Sequence, residues 1–449
     1  MIPYADFLYF GVALYLLLPT LVVRFVGRFS RAWILLATVL MLLVQYAGTV
    51  AVGSRFALQE VWLVAGYAVF QWAAASGFLL LRSRCRVGCQ PAGAARQVGN
   101  LPYKQADRRW PYYAALTLGL LPLAAAKFVP ALAPGTQIGY LGISYVTFRS
   151  LDVIFGIQDR LITALPAGQF LAYLFLFPTV SSGPVDRYRR FAEDWNRPPD
   201  RSRFLADLDG AVHRIFTGFL YKFILAALVK RYWLDPAAAG TGLLPTLSYM
   251  YAYSLYLFFD FAGYSAFAVG FSYLLGVHTP ENFDRPFLAR NVRDFWNRWH
   301  IGLSTWFRDH VTMRFMMAAT KGRWFKRKLT APYLGLFLGF GLMGLWHGTA
   351  LHYLVYGAYH ATLLVGHDLF VRWNKQRKVW GDGPIWRAAG VLLTFHLVCF
   401  GFLIFSGHVG PTLNWQMPGL AEVWPLRQTA LLVQDQGTNC STPAALPGR

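Results

Sequence analysis

A histidine near the end of an apolar, glycine-rich stretch is the residue of this chain whose type and position most clearly suggest catalysis. The stretch covers 334–348 and ends in Trp346-His347-Gly348. An ionisable side chain at membrane depth is costly, and it usually faces a wet cavity or the protein interior. A neutral imidazole can take a proton from an attacking hydroxyl, so His347 is a candidate general base. The alternative is a histidine that only hydrogen-bonds a neighbouring helix.

The composition places this histidine in an all-α integral membrane protein. Of 449 residues, 56% are hydrophobic and 14% are charged, whereas a soluble domain carries about 25% charged residues. Apolar runs near the span length predict about ten to twelve crossings, and the run at 243–275 is too long for one. The runs lie at about 6–26, 31–50, 60–82, 111–128, 165–182, 211–229, 243–275, 331–349, 351–370 and 386–406.

The positive charges follow the loops between these runs. The net charge is +21, but the Lys and Arg residues lie in short loops without a nucleic-acid-binding motif, so no nucleic-acid partner is expected. Arg24, Arg28 and Arg31 follow the first run, and no Lys or Arg precedes it. We therefore expect a multi-pass protein of the cytoplasmic (inner) membrane with its N-terminus outside and the basic 82–110 segment inside.

Residues 1–410 read as a single membrane domain. The tail at 411–449 has prolines and no span-length apolar run, so we expect it to be peripheral or disordered. The four cysteines form no disulfide framework. Cys85 and Cys89 lie close together in the basic loop, but a zinc site would need two more ligands. No metal site is predicted.

A mixed aromatic and charged segment at 294–309 is a second candidate region. A helix would place Trp296, His300, Leu303 and Phe307 on one face. Asp294 and Arg298 could pair at i, i+4. Such a helix is too polar for lipid and too aromatic for water. We expect it to be buried between spans or to lie at the interface.

Three other intramembrane charges need partners, and structural roles are expected for them. Arg149 and Asp152 are spaced to neutralise each other, whereas Asp260 has no partner nearby in sequence. Glycines at i, i+4 in the His347 helix, Gly335/Gly339 and Gly344/Gly348, would allow close approach of neighbouring helices.

Several segments in a fixed order resemble the membrane-bound O-acyltransferases. They are Pro280-Glu-Asn-Phe, Asp294-Phe-Trp-Asn-Arg-Trp-His300, Trp306-Phe-Arg-Asp and Met343-Gly-Leu-Trp-His347-Gly. Within that superfamily, three further segments look like the D-alanyl transfer proteins of teichoic-acid modification, the DltB type. These segments are 181–191, 308–315 and 355–360, and the resemblance covers about 5–408.

The resemblance implies a ring of helices, with shorter re-entrant or interfacial helices, around a thin centre where the active site lies. It implies that His347 is the catalytic histidine and that His300 matches the second histidine of the site. It also implies transfer of D-alanine to hydroxyls of a cell-envelope polymer, with no permanently bound cofactor. Six further residues are predicted to support the site or its tunnel: Trp296, Asn297, Trp299, Arg308, Asp309 and Trp346.

The family receives D-alanine as a thioester on the phosphopantetheine arm of a small acidic carrier protein in the cytoplasm. The resemblance places carrier docking on Met313, Phe315, Met316 and Met317, beside a basic run at 321–328. Flexible methionines and positive charge suit such a partner. A lipid-facing interfacial helix is the alternative reading of this segment.

Two other functions stay open from the sequence. One is an O-acetyltransferase of an alginate-type polysaccharide, within the same superfamily. The other is a transporter or channel whose intramembrane charges line a substrate path. The final acceptor, and a small membrane relay peptide or an extracytoplasmic transfer partner, are not defined by the sequence.

Overall fold

The computed structural model describes residues 3–47, 56–87, 109–132, 139–181, 183–197 and 200–409. The predicted tail at 411–449 and the side chains of Cys85 and Cys89 lie outside the described residues.

Helices make up most of the described chain, as the sequence predicts. The first ten are α1 Phe7–Phe25, α2 Arg31–Ala47, α3 Phe56–Val87, α4 Trp110–Leu132, α5 Ile143–Gln158, α6 Ala167–Phe175, α7 Tyr188–Asn196, α8 Arg201–Phe219, α9 Ala227–Val229 and α10 Asp235–Ala239. The rest are α11 Leu243–Leu274, α12 Val292–Trp296, α13 Ile301–Phe307, α14 Met313–Lys321, α15 Thr330–His347, α16 Leu351–Arg377 and α17 Pro384–Phe405. Segments of π-helix at 220–226, 230–234 and 308–312 join their neighbours without a break.

Six helices in the described residues are long and apolar enough to cross a membrane: Phe7–Phe25, Val61–Ser83, Trp110–Val129, Arg201–Ala239, Leu243–Leu274 and Pro384–Phe405. Other predicted runs form shorter or more polar helices, such as the 18-residue α15. The prediction that 243–275 holds more than one crossing is wrong, because α11 is one 32-residue helix. A helix this long fits a bilayer by tilting or by extending beyond it.

The outer surface of the bundle is apolar. On α1, Tyr15 is 74% exposed and Val22 65% exposed, whereas Tyr9 and Leu17 are fully buried. Exposed apolar faces of this extent are unfavourable in water and favourable in lipid. The helices therefore bury one face against each other and present the other to the membrane.

Charged residues gather at one end of the bundle, where α1 and α11 end and α2 and α8 begin. Arg24 Nη2 donates to Asp207 at 2.7 Å, and Arg31 Nε donates to the Trp195 carbonyl at 2.9 Å. At the same end, Arg82 donates to the carbonyl of Gln158, the last residue of α5. We call this the basic end.

At the basic end, His278 joins two aspartates from different helices. Its Nε2 lies 2.6 Å from Asp207 on α8, and its Nδ1 lies 3.4 Å from Asp194 on α7. Hydrogen bonds to Asp194 and then to Asp207 raise the pKa of His278 to about 9. Arg203, 2.9 Å from Nδ1, and the Tyr273 ring also face the imidazole.

This cluster predicts a pH-dependent stability. Because the folded pKa of His278 lies above the ordinary value near 6.5, its contribution is complete below about pH 6.5 and is lost as pH rises through about 9. Thermal unfolding of the detergent-solubilised protein between pH 6 and 10 should show this decline. His278→Gln should remove that part of the pH dependence. An equal decline of the unfolding midpoint with pH in wild type and His278→Gln would show that His278 is not the titrating group.

The segment predicted as one helix over 294–309 is broken, and that prediction is wrong. The α12 helix ends at Trp296, and His300 adopts a left-handed conformation with φ of 44° before α13 begins. Residues 282–284 pair with 298–301: Ile301 N–H donates to the Asn282 carbonyl at 3.0 Å, and Asp284 N–H donates to the Arg298 carbonyl at 3.0 Å. This pairing interrupts the helix. The predicted Asp294–Arg298 pair is confirmed at 2.8 Å.

The intramembrane charges find partners far away in sequence. Arg149 donates to the carbonyls of Leu174 at 3.0 Å and Thr179 at 2.8 Å, not to Asp152 as the spacing suggested. Asp260 pairs with Lys222 on the π-helix after α8, at 2.5 Å. A buried charge is tolerated when hydrogen bonds or an ion pair compensate for the lost water. The carbonyl contacts of Arg149 and the ion pair of Asp260 therefore agree with the structural roles expected for these two residues.

Candidate active site

His347 is the last residue of α15, where the helix ends against α16 and α17. Its ring centroid lies 4.9 Å from that of Phe405 and 6.3 Å from that of Tyr356. Its Nδ1 is buried, and no hydrogen-bond partner for it lies within the part of the chain that the structure describes. The imidazole is therefore held by aromatic side chains, and its Nδ1 makes no hydrogen bond to the described residues.

His300 lies at the start of α13, near mid-depth in the bundle. Its ring packs edge-to-face on Phe261 at 4.8 Å. Phe261 lies about 20 Å along α11 from Leu274, the residue at the basic end, at roughly 1.5 Å per residue. The side chain is buried, with 4% of its surface exposed.

Asn282 fixes which nitrogen of His300 carries the proton. Asn282 Oδ1 lies 3.1 Å from His300 Nδ1, and the Gly302 N–H donates to the same oxygen at 3.3 Å. Because a backbone N–H can only donate, this Asn282 atom must be the oxygen, and His300 Nδ1 must be the donor. The neutral ring therefore keeps its lone pair on Nε2. It can accept a hydrogen bond there but cannot donate one.

Trp346 connects the two histidines. Its ring centroid lies 4.5 Å from that of His347 and 6.4 Å from that of His300. Trp346 is buried, and its role in supporting the site stays a prediction. The structure thus brings together three of the residues that the sequence predicted: His300, Trp346 and His347.

Lys127, near the end of α4, also reaches this site, and sequence reasoning missed it. Its Nζ donates to the carbonyl of Leu345 at 3.1 Å and to that of Trp346. The last carbonyls of a helix lack intrahelical donors, and a cation there also interacts favourably with the negative end of the helix dipole. Its charge inside the predicted span 111–128 was the available signal. Lys127 positions the end of α15 that carries His347.

We expect Lys127→Met to lower the rate of the predicted acyl transfer by roughly 10- to 100-fold, because misplacement of a catalytic group by about 1 Å has effects of this size. Lys127→Arg should restore part of the activity by donating to the same carbonyls. Lys375→Met, at an exposed position near the end of α16, is the control. Activity of Lys127→Met within twofold of wild type would rule out the positioning role.

The predicted close approach at the glycines of α15 is confirmed. A Cβ on Gly344 would collide with the Tyr353 carbonyl oxygen of α16, and one on Gly339 would collide with Thr312 Oγ1. These contacts bring α15 against both α16 and the π-helix after α13. The ring of His347, three residues beyond Gly344, is placed by this packing.

Gly344→Ala therefore should destabilise the protein. Alanine normally favours a helix over glycine by roughly 0.5–1 kcal/mol, but overpacking costs about 1–3 kcal/mol, so the clash should dominate. Gly341→Ala is the matched control on the same helix, because no atom lies within 4 Å of its added Cβ. Thermal unfolding should show a lower midpoint for Gly344→Ala alone. Equal midpoints for the two variants would contradict this account.

Trp296 does not contact His347 directly but packs on a third histidine, His360. Its indole N–H donates to His360 Nδ1 at 3.3 Å, and His360 packs on Tyr356 at 4.6 Å between ring centroids. Tyr356 in turn contacts His347. His360 was part of a sequence motif but was not predicted as a site residue. His360 is completely buried and packs behind Tyr356.

The other predicted support residues lie outside the two-histidine centre. Trp299 is buried and packs on Phe402, with ring centroids 4.7 Å apart. Asn297 is exposed at the end of α12, and Arg308 is exposed and bonds Asp309 at 2.9 Å. The role of these residues in a substrate tunnel stays a prediction.

A polar network that the sequence did not predict lies beside the π-helix at 308–312. Asp152 Oδ1 accepts from Arg187 at 2.8 Å and lies 2.9 Å from His310 Nε2. Arg187 also pairs with Asp309 at 2.8 Å. The network joins α5, the loop before α7 and the π-helix, so it holds the segment that leads from His300 to α14.

The predicted docking residues share α14 but not the same exposure. Met313 is 42% exposed and Met317 58% exposed, whereas Phe315 and Met316 are partly buried against Gly335 of α15. Arg314, on the same helix, pairs with Asp159. Met313 and Met317 are thus available to a partner or to lipid. Phe315 and Met316 instead help to attach α14 to α15.

The arrangement suits general acid–base chemistry. Two imidazoles, those of His300 and His347, flank the buried Trp346. A hydroxyl is a weak nucleophile, and a positioned imidazole that takes its proton typically contributes ~10²–10⁴ in rate.

Comparisons with known proteins agree with this chemistry. The profile of MBOAT, the membrane-bound O-acyltransferase family, matches residues 155–405. The chain is 39% identical to the teichoic acid D-alanyltransferase of Bacillus subtilis over 422 residues, 91% of this chain and 98% of that protein. It is 42% identical to the enzyme of the same name from Streptococcus thermophilus, over 68% of this chain and 77% of that protein.

Similarity extends to a second kind of enzyme. The chain is 32% identical to the probable alginate O-acetylase AlgI of Pseudomonas aeruginosa, over 62% of this chain and 50% of that protein. Both kinds of relative are named as enzymes that transfer or attach an acyl group.

Proposed function

This chain belongs to the membrane-bound O-acyltransferase family, and on that basis we propose that it transfers D-alanine to hydroxyl groups of a cell-envelope polymer of the teichoic-acid type. The observation that carries the proposal is the pair His300 and His347 at a helix end near mid-depth, in a chain similar to a D-alanyltransferase over 91% of its length.

In the proposed reaction, the donor is D-alanine held as a thioester on the phosphopantetheine arm of an acidic carrier protein. The hydroxyl oxygen of the acceptor attacks the thioester carbonyl carbon while His347 takes the hydroxyl proton. The C–O bond forms, the C–S bond breaks, and the proton returns from His347 to the leaving thiolate. The products are the ester and the free thiol of the carrier.

His300 orients a reactant beside the attacking hydroxyl. Its Nδ1 proton is engaged by Asn282, so its Nε2 can accept a hydrogen bond from a second donor of the reactants, such as the ammonium group of D-alanine, while the single proton of the attacking hydroxyl goes to His347. For the same reason, the neutral ring cannot polarise the thioester carbonyl, which would need an N–H at Nε2. The proposed division of labour is proton transfer at His347 and orientation at His300.

The proposed topology places the basic end in the cytoplasm and the N-terminus outside, in the cytoplasmic membrane. The carrier would then dock at the basic end on Met313 and Met317, with Phe315 and Met316 beneath them. Exposed methionines and neighbouring basic residues support this surface.

The test uses purified protein in proteoliposomes with two labelled donors, D-alanyl carrier protein and an acetyl donor. Ester formation is measured on glycerol phosphate polymer and on polymannuronate, with and without membrane and extracytoplasmic fractions that could supply relay partners. D-alanyl ester that depends on His347 supports the proposal. Acetyl ester alone would favour the alginate-type function, and solute movement without any ester would favour a transporter.

A further inference from the structure

A pocket at the basic end lies between the end of α1, α7, the start of α8 and the loop after α11. It is far from the two histidines, and the proposed reaction does not use it. Its lining residues are Arg24, Arg28, Phe29, Asp194, Arg197, Asp200, Arg203 and Gly276.

The pocket carries an excess of positive charge. Four arginines and two aspartates line it, which gives a formal charge of +2. Arg24 is held by Asp207 behind the wall, and Arg197 bonds Asp194 at 2.8 Å. Asp200 is occupied in capping α8, where it accepts from the Ser202 N–H at 3.1 Å.

Arg28 is the most available of the arginines that line the pocket. It is exposed, and its guanidinium has no ion pair with an acidic residue in the described ranges. Arg197 and Arg203 share Asp194 as an ion-pair partner, at 2.8 Å and 3.5 Å, but 39% and 35% of their side-chain surfaces stay exposed. Guanidinium groups form bidentate hydrogen bonds to phosphate, so the three together suit a phosphate group.

An apolar surface continues from the pocket along the last turn of α1. Phe25 is 49% exposed, Val22 65% and Val26 63%. Arg201 lies over the Phe25 ring at 4.5 Å, which places charge and aromatic surface together at the end of the span. This combination fits a ligand that has an anionic head and apolar chains.

We propose that this pocket binds the headgroup phosphate of an anionic phospholipid from the surrounding leaflet, whose acyl chains lie along the exposed face of α1. Free phosphate shares the headgroup chemistry but would leave the apolar face unused. An acidic protein partner would also leave Val22 and Val26 uncovered. Basic pockets of this kind between helix ends bind anionic lipids in other membrane proteins.

The experiment compares full-length proteins by native mass spectrometry from mixed micelles with phosphatidylglycerol or phosphatidylcholine. Wild type should retain phosphatidylglycerol in preference to phosphatidylcholine. The double variant Arg28→Gln/Arg197→Gln should reduce that retention by roughly 10- to 30-fold, because each basic side chain near an anionic lipid contributes about a factor of 5. The control Lys375→Gln/Arg377→Gln removes the same charge from exposed positions at the end of α16 and should retain the lipid.

Equal retention of the two lipids by wild type, or equal loss in both double variants, would overturn the proposal. Inorganic phosphate that displaces phosphatidylglycerol at matched concentration would overturn the lipid assignment in favour of a phosphate site. Loss of acidic carrier binding with unchanged lipid retention would overturn it in favour of a protein surface. Thermal unfolding of both variants confirms that they are folded. Acyl transfer is not the readout, so the result is independent of the proposed function.

Discussion

Replacing His347 with glutamine is expected to lower acyl transfer at least ~100-fold, and up to ~10⁴-fold, while the protein stays folded. Glutamine preserves much of the side-chain volume between Trp346 and Phe405 but cannot take a proton at neutral pH. The loss should fall mainly on kcat, because the missing interaction is made as the hydroxyl attacks. Initial rates of D-alanyl ester formation in proteoliposomes measure it.

The control for this variant is His396→Gln on α17, an exposed histidine whose Nδ1 lies 2.7 Å from the carbonyl of Leu392. It should transfer at the wild-type rate. Thermal unfolding separates a chemical defect from a folding defect. Wild-type transfer by a folded His347→Gln protein would remove His347 from the mechanism.

Replacing Asn282 with alanine is expected to lower kcat by roughly 10- to 100-fold, the size seen when the partner that orients a functional histidine is lost. Without Oδ1, the His300 proton is no longer confined to Nδ1, so the Nε2 acceptor is present in only part of the molecules. The Gly302 N–H also loses its acceptor at the start of α13.

Asn282→Asp should recover part of the activity, because a carboxylate oxygen accepts from the same two donors. Asn291→Ala is the matched control. Asn291 Oδ1 accepts the Asp294 N–H at 2.9 Å and caps α12 without contact to His300. Its loss should reduce stability modestly and leave kcat nearly unchanged.

A purely structural role for Asn282 can be distinguished by two readouts. Nitrogen NMR of histidine-labelled protein should show a single Nδ1–H tautomer for His300 in wild type and a mixture in Asn282→Ala. The pH dependence of kcat should differ between the alanine and aspartate variants. An unchanged tautomer with a lower melting temperature would leave Asn282 as a packing residue only.

Short stretches of the sequence by themselves determine most of the membrane helices and identify His347 as a candidate site residue. The apolar runs predict the helices because each run of span length must bury its backbone polar groups within a helix. His347 stands out because an ionisable residue in such a run is energetically unfavourable without a purpose. The ordered motifs predict His300 and Trp346 as site residues, and the structure places the Trp346 ring between those of His300 and His347.

Only the tertiary structure decided how these residues are held. Periodicity predicted a continuous helix through His300, but pairing with Asn282, 18 residues away, breaks it and sets the imidazole proton. Lys127 reaches carbonyls more than 200 residues along the chain. The long apolar run at 243–275 became one helix, and Asp152 found Arg187 and His310 in place of Arg149. Sequence spacing reports which face of a helix is apolar, whereas hydrogen-bond partners and charge pairs depend on which helices meet.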